Sequence, residues 1–104
     1  MPSRTLADRT VDVNEQGYLL NPNDWTEPMA EAIAREVGIA LTPEAWKVVR
    51  FARKDFAEKA ESPGLRRITA NTGVSTKELY QMFPKGPGKL IALIAGTPKP
   101  KSCL

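Results

Sequence analysis

The amino-acid sequence predicts a mostly α protein of the α+β class: a small orthogonal helical domain with an N-terminal β-hairpin and an extended, mobile C-terminal arm. Three observations predict it. Apolar residues recur at helical spacing in several segments that are bounded by helix start and stop signals. One short segment near the N-terminus alternates apolar and polar residues, as a strand does. The last eight residues include two prolines, which disfavour a helix and suit a polyproline-like arm.

Length and composition predict one domain, residues 1–96, followed by an arm, residues 97–104. Hydrophobic residues make up 41% of the 104-residue chain, which is enough for a small core. No apolar run approaches the roughly 18 residues that a membrane helix needs, so no membrane partner is expected. The N-terminus does not resemble a signal peptide, and the chain has a single cysteine. These features predict a cytoplasmic protein.

The charge is unevenly distributed along the chain. The net charge is only +3. From Ser62 onward, however, there are seven lysines and arginines and only one acidic residue, Glu78. This asymmetry favours acidic partners, either protein or nucleic acid.

The N-terminal third is predicted to form a hairpin and one helix. Residues 1–9 are polar and expected to be loose. Residues 10–14 and 18–20 read as two short strands, with Gly17 at a positive φ in the turn between them. Asp24 and Glu27 have capping-box spacing and predict a helix that runs to Val37 and ends at Gly38.

Thr42 and Pro43 predict the start of a second helix, which continues to about Lys59. Trp46 and Phe56 lie on its apolar stripe and are expected to anchor the core, whereas Asp55 is expected on the solvated side. Three shorter helices are predicted at residues 65–71, 76–83 and 89–95.

Residues 68–80 have the pattern of a helix-turn-helix, and with residues 83–85 they resemble the DNA-binding segment of TetR-type repressors. Ala70 is expected where the two helices cross, and Tyr80 and Phe83 in the core. The alternative function that this pattern suggests is a DNA-binding regulator. Its candidate nucleic-acid-binding residues are Arg66, Arg67, Lys77 and Gln81.

Cys103, the only cysteine, is the candidate catalytic residue. A disulfide within the chain is impossible, and a metal site is not expected without histidine. The thiol is therefore reactive, paired with another molecule, or without a role. Lys85, Lys99 and Lys101 are candidates for docking an acidic partner or for favouring the thiolate, although they also fit a solvated basic face. The α-carboxylate of Leu104 acts against thiolate formation.

Three segments together resemble the DsrC/TusE (DsvC) family of sulfur-relay proteins. They are residues 79–87 (Leu-Tyr-Gln-Met-Phe-Pro-Lys-Gly-Pro), residues 94–100 (Ile-Ala-Gly-Thr-Pro-Lys-Pro) and the penultimate Cys103. Weaker matches lie at residues 17–19, Trp25, residues 38–44, Trp46, residues 48–51, residues 62–63 and Arg66.

The resemblance implies a carrier that holds sulfane sulfur as a persulfide on Cys103 and uses no other cofactor. It also implies donor and acceptor proteins of Tus-type or Dsr-type complexes, and a tRNA thiouridylase, as partners. Such a protein is a sulfurtransferase-type carrier and not a stand-alone turnover enzyme. A non-catalytic partner of a sulfite-reductase-like complex is a further alternative.

Two departures from the family pattern bear on which sulfur-relay pathway and which partners the resemblance implies. Ala92 stands where members that act with dissimilatory sulfite reductase have a second cysteine, eleven positions before the penultimate one. A single-cysteine carrier in the tRNA 2-thiouridine pathway is therefore favoured over a role in sulfur oxidation or reduction. In addition, the segment between Ser62 and Tyr80 is shorter than in many members, which affects a partner-facing loop.

Overall fold

The computed structural model describes residues 3–100. Within them, a two-stranded antiparallel sheet precedes five α-helices, as the sequence predicts for a mostly α protein with an N-terminal hairpin. The elements are β1 (Ser3–Leu6), β2 (Arg9–Asp12), α1 (Glu27–Val37), α2 (Pro43–Lys59), α3 (Leu65–Thr72), α4 (Thr76–Met82) and α5 (Pro87–Ala95), with a short 3-10 helix at Pro22–Asp24 before α1.

The regular hairpin lies earlier in the chain than predicted. β1 pairs with β2 through a two-residue turn in which Ala7 and Asp8 both have positive φ, the backbone that suits a tight hairpin. The expectation that residues 1–9 are loose is therefore wrong for residues 3–9. The reason is tertiary: Leu6 and Val11 are buried in the core. Outside the core, the Arg4 guanidinium forms an ion pair with Glu36 of α1.

The predicted turn around Gly17 exists, but it does not join two regular strands. Gly17 has a φ of +93°, as expected, and Asn14 Oδ1 accepts hydrogen bonds from the backbone N–H groups of Gln16 and Tyr18. Beyond this turn only one isolated bridge forms, between Val13 and Leu19. The predicted second strand at residues 18–20 is thus a single pairing position.

Helix α1 begins at a different cap from the one predicted. Thr26 is the N-cap, and its hydroxyl accepts a hydrogen bond from the Met29 N–H. Asp24 instead belongs to the 3-10 helix, so the predicted capping box from Asp24 to Glu27 is wrong. The helix ends as predicted, with Gly38 in the left-handed conformation at a φ of +76°.

Helix α2 matches its prediction at both ends, and the Thr42 hydroxyl accepts from the Ala45 N–H. Asp55, however, does not lie on a solvated side: it is only 2% exposed. Its carboxylate accepts two hydrogen bonds from Arg67 of α3. Trp46 is half-buried and packs against the core as predicted, whereas Phe56 is half-buried and stands outside the core cluster.

Helices α3 and α4 form the predicted helix–turn–helix pair, with Gly73 in the left-handed conformation between them. Val74, Leu79 and Phe83 are buried, as expected. Two predictions on this pair are wrong. Ala70 is exposed and does not lie at the crossing, and Tyr80 is 44% exposed and not in the core.

The apolar core centres on α5, which packs against both α1 and α2. Helix α3 packs against α2, and α4 contacts α3 and α5. Every helix contributes to the largest fully buried apolar side chains, and β1 and the segments around α4 contribute the others: Leu6, Met29, Val48, Val49, Ile68, Val74, Leu79, Phe83, Ile91 and Ile94. This arrangement fixes the end of α5, and hence the start of the C-terminal segment, with respect to the rest of the domain.

The capping box of α4 makes part of the stability pH-dependent. The Ser75 N–H donates to Glu78 Oε1 at 3.1 Å and, with the Ser75 hydroxyl, holds the pKa of this carboxyl below its usual value of 4.5. Because the pKa is lowered by folding, the stabilisation is complete above about pH 4.5 and is lost as the pH falls through the lower, folded-state value. Glu78→Gln should therefore flatten the dependence of the unfolding free energy on pH below 4.5, measured by urea denaturation.

Glu31→Gln is the matched control, since Glu31 is an exposed carboxylate of α1 that takes no part in a cap. Equal flattening in the two variants would contradict the assignment to the capping box.

Candidate functional site

The site of interest is the arm root, residues 94–98, where α5 ends and the chain leads towards Cys103. Helix α5 ends in a Schellman motif: the Gly96 N–H donates to Leu93 O at 3.3 Å and the Thr97 N–H to Ala92 O at 3.0 Å. Gly96 takes the left-handed conformation that this motif needs, with a φ of +70°. These bonds leave the last two carbonyl groups of the helix, those of Ile94 and Ala95, in need of donors.

Two side chains from distant parts of the chain supply those donors. Trp25 Nε1–H donates to Ile94 O at 2.8 Å. Arg53 Nη1–H donates to Ala95 O, also at 2.8 Å, and its Nη2–H donates to Pro22 O at 3.2 Å. The end of α5 is thus bound to the segment before α1 and to α2. A positive charge at this end of a helix also complements the helix dipole.

Arg53 and Trp25 also contact each other. The guanidinium carbon lies 4.2 Å from the centre of the indole ring, within the range of a cation–π interaction. Burial lowers the pKa of Arg53 from its usual value, although an arginine stays charged under all ordinary conditions. The desolvation of this charge is offset by the two carbonyl acceptors and by the aromatic face.

Gly96 is required here for space as well as for backbone conformation. A Cβ at this position would lie 2.4 Å from Trp25 Cδ1 and 3.0 Å from Leu19 Cδ1. The indole ring therefore packs directly on the backbone of the arm root, with no room for a larger residue.

Residues 97–100, which follow the glycine cap of α5, contact the domain at several points. Thr97 is fully buried, and Pro100 is also buried. The Ser62 hydroxyl donates to Pro98 O, which joins the arm root to the loop between α2 and α3. The same loop borders a cleft of about 400 Å³ lined by residues 61–64 with Asp55, Lys59 and Arg67. The first part of the predicted arm thus runs along this loop.

The predicted site residues fall into three groups. Cys103 and Lys101 lie outside the described residues, so their roles stay predictions. Lys85 and Lys99 are exposed, as are the nucleic-acid candidates Arg66, Lys77 and Gln81. Arg67 is exposed too, but its guanidinium is paired with the buried Asp55 carboxylate, and this hydrogen bond raises the pKa of Arg67. Ala92 is buried in α5.

Sequence reasoning missed Arg53 and Ser62 at the arm root. A signal for Arg53 was present: it follows Val49 by four residues and Trp46 by seven, which places a charge on the apolar stripe of α2. A charged residue on such a stripe needs buried partners. Ser62 gave no comparable signal, because its contact depends on where residues 97–98 pass.

Residues 3–100 contain no group of three or more histidine, cysteine, aspartate or glutamate side chains that could hold a metal ion. None of the helices in this part of the chain is long and apolar enough to cross a membrane.

The fold and the arm root define a class: small helical proteins whose last helix is capped by side chains from the domain and leads into a short C-terminal segment with a penultimate cysteine. This chain belongs to the DsrC-like family. Residues 5–104 match the family described as "DsrC like protein". A relative from Yersinia pseudotuberculosis named "Sulfurtransferase TusE" is 40% identical, over 92% of this chain and 95% of that protein.

Solved structures show the same fold. The DsrC of Allochromatium vinosum, determined by NMR, matches with a TM-score of 0.85 at 33% identity, covering 98% of this chain and 97% of that one. The oxidised gamma-subunit of dissimilatory sulfite reductase (DsrC) from Archaeoglobus fulgidus matches with a TM-score of 0.84 at 30% identity, covering 99% of this chain and all of that one. The family resemblance inferred from residues 79–87 and 94–100 is confirmed.

The close contact at Gly96 predicts an unusual sensitivity to one methyl group. Gly96→Ala should lower the free energy of unfolding by roughly 2–4 kcal/mol, the sum of a left-handed alanine and an overlap with Trp25. Gly38→Ala is the matched control, since Gly38 has a φ of +76° and open space around its Cα. That variant should cost only about 1 kcal/mol. Equal costs in urea denaturation would contradict the packing of Trp25 on the arm root.

Trp25→Phe should reveal the hydrogen bond from the indole to α5. The variant keeps an aromatic ring but leaves Ile94 O without its donor, which we expect to cost about 1–3 kcal/mol of unfolding free energy. Trp46→Phe makes the same change at a half-buried tryptophan whose indole lies 5.0 Å from Arg50 and not on a helix carbonyl. If Trp46→Phe is as destabilising, the hydrogen bond is not the cause.

Proposed function

We propose that this chain is a sulfur carrier that accepts sulfane sulfur as a persulfide on Cys103 and passes it to an acceptor protein. Membership of the DsrC-like family, with relatives named "Sulfurtransferase TusE", supports a role in sulfur relay. The observation that carries the finer proposal is the arm root, where Trp25, Arg53 and Ser62 hold the chain just before its only cysteine. We place this activity in the cytoplasm.

The chemistry is an exchange between thiolates. The Cys103 thiolate attacks the outer sulfur of a donor persulfide; a new S–S bond forms on Cys103, and the donor departs as its thiolate. Transfer to the acceptor repeats the step in reverse, with Cys103 as the leaving group. No electrons are gained or lost overall, so neither step needs an oxidant. No resident cofactor is needed, because the sulfur itself is the load.

The arm root supports this chemistry by limiting the reach of the thiol. Cys103 follows Pro98 by five residues, so its Cα stays within about 18 Å of the Cα of Pro98, whose carbonyl contacts Ser62. Lys99 is exposed close to the cysteine in sequence. With Lys101 it favours the thiolate, while Lys85 is a further candidate for contact with a partner.

The single cysteine favours one kind of relay. With Ala92 in place of the second cysteine, the chain has no internal thiol to displace the sulfur from Cys103. A persulfide here persists until an external thiolate attacks it. We therefore propose transfer from a Tus-type donor complex to a tRNA thiouridylase in 2-thiouridine synthesis, in preference to a Dsr-type role in sulfur oxidation or reduction.

Intact-protein mass spectrometry tests the proposal directly. After incubation with a persulfide-charged sulfurtransferase, the wild type should gain one sulfur atom that a reductant removes, and Cys103→Ser should gain none. Cys103→Ser should keep the wild-type unfolding free energy, as expected for a residue of the predicted arm. Failure of several competent donors to load the wild type would contradict the proposal.

The exposed side chains of α3 and α4 support a second candidate, a DNA-binding regulator. Arg66, Lys77 and Gln81 lie on the surface of the helix–turn–helix pair. This function requires binding to duplex DNA that weakens steeply with salt, that is lost in Lys77→Ala and that persists in Cys103→Ser. A non-catalytic subunit of a sulfite-reductase-like complex would instead form a stable complex with or without the thiol.

A further inference from the structure

A groove between α3 and α4 is separate from the arm root. It encloses about 460 Å³ and is lined by Leu65, Arg66, Thr69, Ala70, Thr76 and Tyr80. We propose that this α3/α4 groove is the docking surface for the proteins that exchange sulfur with Cys103, and that it receives an apolar side chain carried on an acidic segment of the partner. This proposal rests on the proposed carrier function.

The groove offers apolar surface that the domain itself does not cover. Tyr80 is 44% exposed, and Leu20 is the only other large hydrophobic residue among residues 3–100 with comparable exposure. Ala70 is also exposed, although its position in a helix–turn–helix predicts burial. An exposed aromatic ring beside a small residue, in a concave surface, is the usual form of a binding site for a protein side chain.

The charges around the groove call for an acidic partner. Arg66 lines the groove and Lys77 lies on the first turn of α4; both are exposed. From Ser62 onward Glu78 is the only acidic residue, and its carboxylate is bound to the N-terminus of α4 through Ser75. The Glu78 carboxylate is thus part of a helix cap and does not neutralise the positive charge of Arg66 and Lys77 at the rim of the groove. Carboxylates on the partner would be complementary to this rim.

The groove also lies close to the path of the arm. Leu65, at one end of the groove, follows Ser62 by three residues, which limits their Cα separation to about 11 Å. Ser62 in turn holds Pro98 O. A protein seated in the α3/α4 groove therefore lies beside the point from which Cys103 is tethered, within the roughly 18 Å that the five residue steps from Pro98 to Cys103 can span.

The same observations favour a protein over a nucleic acid. DNA binding is dominated by phosphate contacts, and although Arg66 and Lys77 on the rim can contact phosphates, the apolar lining of the groove cannot. Arg67, one of the candidate phosphate ligands, is held by Asp55. The Glu78 carboxylate occupies the N-terminus of α4, the end of a recognition helix that approaches the base edges.

The test compares two routes of loading Cys103. In the first, the donor is a persulfide-charged sulfurtransferase; in the second, it is low-molecular-weight cysteine persulfide, which needs no docking surface. Two groove variants, Tyr80→Asp and Arg66→Glu, are each paired with a control. Leu20→Asp places the same charge at the other exposed hydrophobic residue, 41% exposed, and Lys47→Glu reverses an exposed charge on α2.

We expect the groove variants to raise the KM for the protein donor about tenfold, because loss of one anchoring contact at an interface has this size. Loading by cysteine persulfide should not change, and the control variants should behave as wild type on both routes. Tyr80→Ser provides a second test with no added charge, and circular dichroism confirms that each variant is folded.

Each other outcome is decisive. Normal KM values for the protein donor in all groove variants, with transfer to an acceptor protein also unchanged, would overturn the docking surface while leaving the carrier function intact. Failure of the wild type on both routes would overturn the carrier function itself. Loss of binding to a short DNA duplex in Arg66→Glu, with sulfur transfer unchanged, would assign this face to nucleic acid.

Discussion

The last two carbonyl groups of α5 impose the constraint on which the rest of this structure depends. A helix cannot satisfy them itself, and here the donors are the Trp25 indole and the Arg53 guanidinium. Arg53 also binds Pro22 O and lies over the Trp25 ring, so the segment before α1, the middle of α2 and the end of α5 form one connected contact. The half-buried Arg53 cation, whose partial desolvation is costly alone, is stabilised by the backbone carbonyls and the aromatic face that it contacts.

For a carrier protein, this contact makes the end of α5 a fixed attachment point for the segment that leads to the reacting cysteine. The proposed chemistry requires no catalytic side chain from residues 3–100. It determines instead the place and direction in which the chain leaves α5, through the close packing of Gly96 on Trp25 and the contact of Pro98 with Ser62. The thiol exchange is then governed by access and by the charge near Cys103, both of which a partner protein can change on docking.

The helix–turn–helix pair shows why a motif does not by itself establish a function. Helices α3 and α4 pack as the motif predicts, and the ion pair between Arg67 and Asp55 attaches the pair to α2. The surface they expose is nonetheless an apolar groove with a basic rim, which suits a protein segment better than a phosphate backbone. The same local geometry serves different partners depending on which side chains remain exposed.

Sequence alone determined most of the helical architecture and the family. Thr42, Gly38 and Ser75 mark helix ends by local hydrogen bonding and backbone preference, which do not depend on the rest of the fold. Residues 79–87 and 94–100, with Cys103, identified the family. Only the tertiary structure decided the pairing of residues 3–6, the exposure of Tyr80 and the burial of Asp55, because each depends on which distant surface covers it. The arm root is the clearest case: residues 25, 53, 62 and 94–98 are far apart in sequence, and no local signal encodes the packing that brings their donors and acceptors together.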